Sequence, residues 1–278
     1  MKALSMVVPV YNEELSIASF HKKIVGVLEE QGVPYEIIYV NDGSTDNSKN
    51  LLNKLDARVV HLDRNMGYGA ALKIGFKQAT SPILGIIDCD GTYDPAEIPK
   101  LYQHMEEMDM VIGQRPPEKG LRFFAKGFLN RFASYAVNYK IPDLNSGLRL
   151  FDREMAMHLL PLLPNGFSLT STITLGALYV PYRVRYVPIT YGERTGSSKI
   201  IPTKALYSFA LLIIRTVVLF NPLKFFIPIS GIFAAVGGAF VVRDVLAGDL
   251  AQSSLLFIVN AFILLAIGLL AEAIRSRV

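Results

Sequence analysis

The sequence predicts an α/β domain with a mostly parallel sheet, followed by two membrane-spanning helices. Three observations lead there. Short apolar runs alternate with helical stretches from Leu4 to Ile112, the pattern of strands joined by right-handed crossover helices. Two later stretches, Phe225 to Val242 and Leu250 to Ala271, contain no ionisable residue. As helices they would be roughly 27 and 33 Å long, enough to cross a hydrocarbon core of about 30 Å. Finally, hydrophobic residues make up 51% of the 278, and mean hydropathy is +0.34; the apolar excess sits after Ile200.

The elements follow in order. Leu4 to Val10 reads as a buried strand broken by Pro9 and Asn12. Glu13-Glu14 then open a helix to about Gln31, with acidic residues in its first turn. Tyr35 to Val40 is the second strand. Asn41 to Asp46 is a polar turn, with Ser44 or Thr45 capping a helix to about Leu55. Arg58 to Leu62 is the third strand, and Asn65 to Gly69 turns into a helix through Ala79. Ile83 to Ile87 is the fourth strand. A helix from Ala96 to Glu107 leads to a fifth, Met110 to Ile112. Apolar residues at Leu121, Phe124, Ala125, Phe128, Leu129, Phe132 and Tyr135-Ala136 have helical spacing, interleaved with Lys119, Arg122, Lys126 and Arg131. Such a basic helix is either solvated or laid against anionic headgroups. Ala205 to Ile214, started by Pro202, is apolar but short, and reads as an interfacial helix. The expected organisation is a catalytic domain over 1–200, an interfacial amphipathic helix over 201–222 and a transmembrane hairpin over 223–278. Lys204, Arg215 and Lys224 precede the first span, and Arg275 and Arg277 follow the second. The positive-inside rule then places the catalytic domain and the C-terminus in the cytoplasm.

The net charge of +4, beside apolar spans, points to anionic lipid surfaces or phosphorylated substrates before nucleic acid. The single cysteine, Cys89, excludes an internal disulfide and fits a reducing compartment. His21, His61, His104 and His158 lack metal-ligand spacing. The Ala3 to Val10 run is too short for a signal peptide.

Chemistry concentrates at Asp88-Cys89-Asp90, just past the fourth strand. In open α/β sheets ligands bind at the carboxyl ends of strands. Two carboxylates there suit Mg²⁺ or Mn²⁺, which take hard oxygen ligands and share them with substrate phosphates. The same residues also suit a turn, since Asp90-Gly91 is a turn dipeptide and Asp94-Pro95 opens a helix.

Read together, several motifs resemble a family 2 glycosyltransferase of the GT-A (Rossmann-like) fold, within it the polyprenyl-phosphate glycosyltransferases that include dolichol-phosphate mannose synthase. They are Val8 to Glu14, Asn41-Asp42-Gly43-Ser44-Thr45-Asp46, Arg64-Asn65-Met66-Gly67, Asp88-Cys89-Asp90, Gly113-Gln114-Arg115, Asp143 to Arg149, and Arg194-Thr195-Gly196-Ser197-Ser198-Lys199. The resemblance covers essentially the whole chain. It implies a nucleotide site at Pro9, Tyr11, Glu13, Asp42 and Asp88, and a divalent metal, Mg²⁺ or Mn²⁺, on Asp88 and Asp90. In related enzymes a Gln two positions past the second Asp assists the metal; here that position is Thr92. The implied catalytic set is Asp88, Asp90, Asp143 and Arg115. The implied acceptor is a polyprenyl phosphate, dolichyl or undecaprenyl, held by Arg115, Ser146, Arg149, Arg194, Ser198 and Lys199. Asp143 fits an acceptor-orienting or basic role and equally a cap for the Asn145-Ser146-Gly147 turn. The expected partners are a UDP- or GDP-linked sugar, the lipid phosphate and the membrane, without nucleic acid; a homo-oligomer is compatible. Competing readings are an inactive membrane scaffold of the same fold and a polysaccharide synthase. The latter resembles a pattern ending in Gln-x-x-Arg-Trp, and this chain has no Trp. A dehydrogenase is disfavoured because no Gly-x-Gly-x-x-Gly follows the first strand.

Overall fold

The computed structural model describes residues 2–117, 127, 130–131, 133–135, 137–180, 182–192, 218, 221–248 and 252–275. Its centre is a seven-stranded sheet of order β3-β2-β1-β4-β6-β5-β7. The strands are β1 (Leu4–Val10), β2 (Tyr35–Asn41), β3 (Arg58–His61), β4 (Ile83–Ile86), β5 (Met110–Gln114), β6 (Arg149–Asp152) and β7 (Val184–Pro188). All neighbouring pairs are parallel except those of β6, which runs antiparallel to both β4 and β5.

Alternation along β1 builds two cores. Leu4, Met6, Val8 and Val10 face one side, where helix α1 (Ile17–Gln31) lays down Ile17, Phe20, Ile24 and Leu28. Those four recur at helical spacing, so one face of α1 is apolar. The helix stops at Gly32, whose φ of 65° closes the last turn onto Glu29. Val7 faces the other side with Ile38 and Val40, against Ala71, Leu72 and Phe76 of α3 (Tyr68–Gln78). Gly75 permits that approach, since a Cβ there would lie 2.3 Å from Val7 Cγ1.

Several expected boundaries move. Glu13 to Ser16 form a turn, and α1 begins only at Ile17 because the backbone N–H groups of Asn12, Glu13 and Glu14 are taken by side chains of the 44–48 segment. Helix α2 is short (Ser48–Leu52), and Ser44 and Thr45 bond Asn12 instead of capping it. Beyond β4, Asp94 caps a 3₁₀ turn, Pro95–Glu97, by accepting from Ala96 N at 2.8 Å; helix α4 (Ile98–Tyr102) follows. Strands β6 and β7 and helices α5 (Arg153–Leu159) and α6 (Leu169–Tyr179) were not expected from the sequence. Most of the basic segment 121–139, and the interfacial helix expected over 201–222 up to residue 220 apart from residue 218, lie outside the described residues.

The C-terminal hairpin comprises α7 (Pro222–Ala247) and α8 (Gln252–Arg275). Asn221 caps α7 by accepting from Lys224 N, and Pro222 takes the first helical position. The helices touch closely through small residues: a Cβ on Gly237 would lie 2.9 Å from Ile258 Cδ1, and one on Gly268 would lie 2.7 Å from Phe226 Cβ. Ser230 Oγ donates across the pair to Ala261 O at 2.8 Å. Apolar side chains elsewhere point outward, among them Ile232, Leu246, Phe262 and Leu270. Both helices are long and apolar enough to cross a membrane, and their exteriors are exposed rather than packed in a core.

The Gly75 contact sets a test of the packing. Gly75→Ala forces a methyl into the branched Val7 side chain and should cost about 1–3 kcal/mol. At about 2–4 °C per kcal/mol the midpoint of a thermal melt should fall by several degrees; an unchanged midpoint would contradict the contact.

Candidate active site

The carboxyl ends of β1, β2 and β4 converge on one edge, and three loops are tied together there. Asn41 Oδ1 accepts from Ser44 N, and Asn12, at φ 57°, accepts Thr45 N at 2.8 Å. Asn tolerates that left-handed conformation better than most residues. Asp42 accepts Met66 N at 2.7 Å and Gly67 N at 2.9 Å, one on each carboxylate oxygen, and is buried. It therefore anchors the 64–67 turn. Gly43 lies against the same turn; a Cβ there would sit 2.4 Å from Arg64 C. Tyr11 is exposed at this edge, with Pro9 and Glu13 half-buried beside it.

Asp88 and Asp90 follow β4. Their alternation leaves both half-buried while Cys89 turns into the core. Burial, and the acids around it, push the Cys89 thiol up; it is a filler and not a thiolate ligand. Tyr68, the first residue of α3, donates its hydroxyl to Asp88 Oδ1 at 2.9 Å. Burial and the Asp88 charge raise the Tyr68 phenol well above its ordinary value, so it remains a donor. Thr92 donates to Asp90 Oδ1 from its hydroxyl at 2.6 Å and from its N–H at 3.1 Å. Two carboxylates, each steadied by a hydroxyl, fit a divalent cation. Among the described residues no cluster of three or more His, Cys, Asp or Glu could cage a metal. The fit is thus to an ion that brings part of its oxygen shell with a phosphate ligand.

The cationic side lies across the sheet. Arg115, just past β5, gives Asp143 a bidentate bond, Nε to Oδ2 at 2.7 Å and Nη2 to Oδ1 at 2.8 Å. Burial opposes the Arg115 charge, but Asp143, Tyr93 and Tyr191 together raise its pKa. Asp143 also accepts Asn145 N at 3.3 Å, so it caps the turn and orients Arg115 together. The guanidinium lies 5.4 Å from the Tyr191 ring centroid, and Tyr191 meets Tyr93 edge-on at 5.1 Å. Arg149 and Ser146 depart from expectation, because both are fully buried. Arg149 donates to Ser146 O, Thr170 O and Thr174 Oγ1, which ties β6 to α6. A guanidinium so enclosed cannot reach an acceptor phosphate. Arg194, Ser198 and Lys199 lie outside the described residues. Sequence reasoning missed the tyrosines Tyr68, Tyr93 and Tyr191. Only Tyr191 carried a signal, its place just before the Arg194 motif.

Comparison with known proteins fits this geometry. Residues 5–160 match the glycosyl transferase family 2 model. The chain belongs to that family. Residues 221–276 match a second model, the GtrB C-terminal hairpin. A dodecaprenyl-phosphate galacturonate synthase of Rhizobium johnstonii is 33% identical over 158 residues, covering 54% of this chain. The chain spans about half of that relative's length, 45%. Glucosyl-3-phosphoglycerate synthase of Mycobacterium tuberculosis, solved with Mn²⁺, UDP and phosphoglyceric acid, superposes with a TM-score of 0.63 at 20% identity over 78% of each chain. A further mycobacterial protein gives 0.61 at 18% identity, over 77% of this chain and 73% of its own. The fold is GT-A-like, and two long apolar helices follow it.

The buried guanidinium of this family member offers a test. Arg149→Met leaves the Ser146 carbonyl without its guanidinium donor, at about 1–3 kcal/mol, while Thr170 O keeps its bond from Thr174 Oγ1. Thermal stability should fall sharply. A stable variant with selectively raised acceptor KM would return Arg149 to the substrate site.

Proposed function

We propose that this glycosyltransferase moves a hexose from a nucleotide sugar to a polyprenyl phosphate at the cytoplasmic membrane face, with inversion. The observation that carries the reading is the juxtaposition, on one edge of the sheet, of the hydroxyl-steadied pair Asp88/Asp90 with the Asp143-oriented Arg115. Support comes from the polyprenyl-phosphate sugar synthase among its relatives, from the Mn²⁺ and UDP in a structural neighbour, and from the membrane hairpin.

Pro9, Tyr11 and Glu13 line the edge that takes base and ribose, and Asp88 adds a ribose contact. Asp88 and Asp90 would hold Mg²⁺ or Mn²⁺, which neutralises charge on the leaving diphosphate. The acceptor phosphate, largely a dianion at neutral pH, is itself the nucleophile and requires no strong base. Its oxygen forms a bond to the anomeric carbon as the bond from that carbon to the diphosphate oxygen breaks, and single displacement inverts the centre. Asp143 serves by fixing Arg115, which donates to the incoming phosphate together with Arg194, Ser198 and Lys199. The working arrangement is a catalytic domain over 1–200, an interfacial helix over 201–222 and a hairpin over 223–278.

Two tests follow. In a donor screen with purified protein and a short polyprenyl phosphate, Asp90→Asn should lower kcat by about a hundredfold or more, and EDTA should do the same to wild type, since metal stabilisation is worth several kcal/mol at 1.36 per decade. Near-normal turnover of Asp90→Asn at saturating Mg²⁺ would refute the assignment. In intact cells, on a Cys89→Ala background, Gly248→Cys should react with an impermeant thiol reagent and Lys2→Cys should not. The reverse pattern would invert the topology.

A further inference from the structure

We propose that Phe167 is the platform on which the transferred sugar stacks, an inference that rests on a nucleotide-sugar donor at Asp88 and Asp90. Phe167 belongs to no sequence motif, yet it is 75% exposed. One face lies on Tyr68, with ring centroids 5.3 Å apart and planes 17° from parallel. The Tyr68 hydroxyl reaches Asp88 at 2.9 Å. A single tyrosine therefore connects the exposed ring to the acid pair, and the hexose on a diphosphate held at that pair falls beside it.

The loop bearing Phe167 is built to hold the ring still. Ala70 N donates to Asn165 O at 3.0 Å, and Lys73 Nζ to Leu163 O at 3.0 Å. Gly67 and Gly69 let the backbones meet: a Cβ on Gly67 would lie 2.7 Å from Asn165 O, and one on Gly69 2.4 Å from Pro164 O. Gly67 N is in turn held by Asp42. The ring's position is thus locked to the loops of the nucleotide edge. Preorganised aromatic area costs little entropy when a ligand settles on it.

The chemistry of the ring selects the ligand. A hexose offers a face of C–H groups of about one ring's area, with hydroxyls at its rim. Exposed Asn165 supplies polar groups nearby. A prenyl chain would require a wider apolar surface than one ring provides.

The test uses full-length protein in detergent with Mn²⁺, a short polyprenyl phosphate, and a donor panel of UDP-glucose, UDP-galacturonate and GDP-mannose. Phe167→Ala should raise KM for the best wild-type donor about tenfold, the upper range for one aromatic contact. Acceptor KM, the melting midpoint and the Kd of the matching Mn²⁺-nucleoside diphosphate should stay unchanged, and Phe167→Tyr should restore wild-type KM. Unchanged donor KM, an effect confined to acceptor KM, or an equal loss of free-diphosphate affinity would each overturn the platform while leaving the transferase reading standing. A wild type that turns over no donor in the panel would overturn both.

Discussion

The site depends on one close approach, that of Gly147 to Asp88. A Cβ at position 147 would lie 2.3 Å from Asp88 Oδ2, so glycine lets the Asp88 carboxylate rest against the 147 backbone in its present rotamer. Gly147 N is at the same time bonded to Tyr93 Oη at 2.7 Å. Here the parallel half of the sheet, β3-β2-β1-β4, meets the half that starts with antiparallel β6. The acids come from one half, and Arg115 and Asp143 from the other. Buried Arg149 fixes the second half by binding the Ser146 carbonyl one residue before the glycine. A shift at this seam would alter the spacing between the acid pair and Arg115.

A second pin lies beside it. Glu97 Oε1 accepts from Thr190 N and Oγ1, and Gly192 N donates to Thr92 O at 2.9 Å. The strand end leading toward the Arg194 to Lys199 motif is thus bonded to the loop that carries Asp90. The hairpin grips the same domain. Lys224 Nζ donates to Tyr135 O at 2.9 Å and to Asn138 Oδ1 at 2.7 Å, while the Arg275 guanidinium lies 4.8 Å from the Tyr179 ring centroid. The first turn of α7 and the last of α8 therefore meet the globular domain together, as an even number of spans requires.

What could be read from the sequence was whatever period and local chemistry encode. β1, β2, β4 and the two C-terminal helices are dominated by apolar runs, and their positions held within a few residues. β6 did not stand out because Arg149-Leu150-Phe151-Asp152 looks amphipathic and short, and its place between β4 and β5 is set by pairing with distant strands. The fate of the charged residues was similarly hidden. Asp42 and Arg149 sit in motifs that suggest ligands, but among their partners are backbone groups 24 and 21 residues away. Residue type told that these were strong hydrogen-bonding groups; only the fold told with what. Phe167 escaped notice because exposure and a stacking partner 99 positions away leave no local pattern.

Charge places a final constraint on the proposed transfer, which must bring a phosphate dianion up to a sugar diphosphate. The metal on Asp88 and Asp90 answers the charge of the diphosphate. Arg115 cannot by itself answer that of the acceptor, because its bidentate bond to Asp143 makes the pair formally neutral. What that pair supplies is direction, a guanidinium held in one orientation between Asp143 and the Tyr191 ring. In the proposed mechanism the net positive charge then has to come from Arg194 and Lys199. An acceptor phosphate is thereby gathered by charge and aligned by a neutral pair, two functions that one exposed arginine would perform less selectively, since an unpaired guanidinium also attracts the donor's own diphosphate.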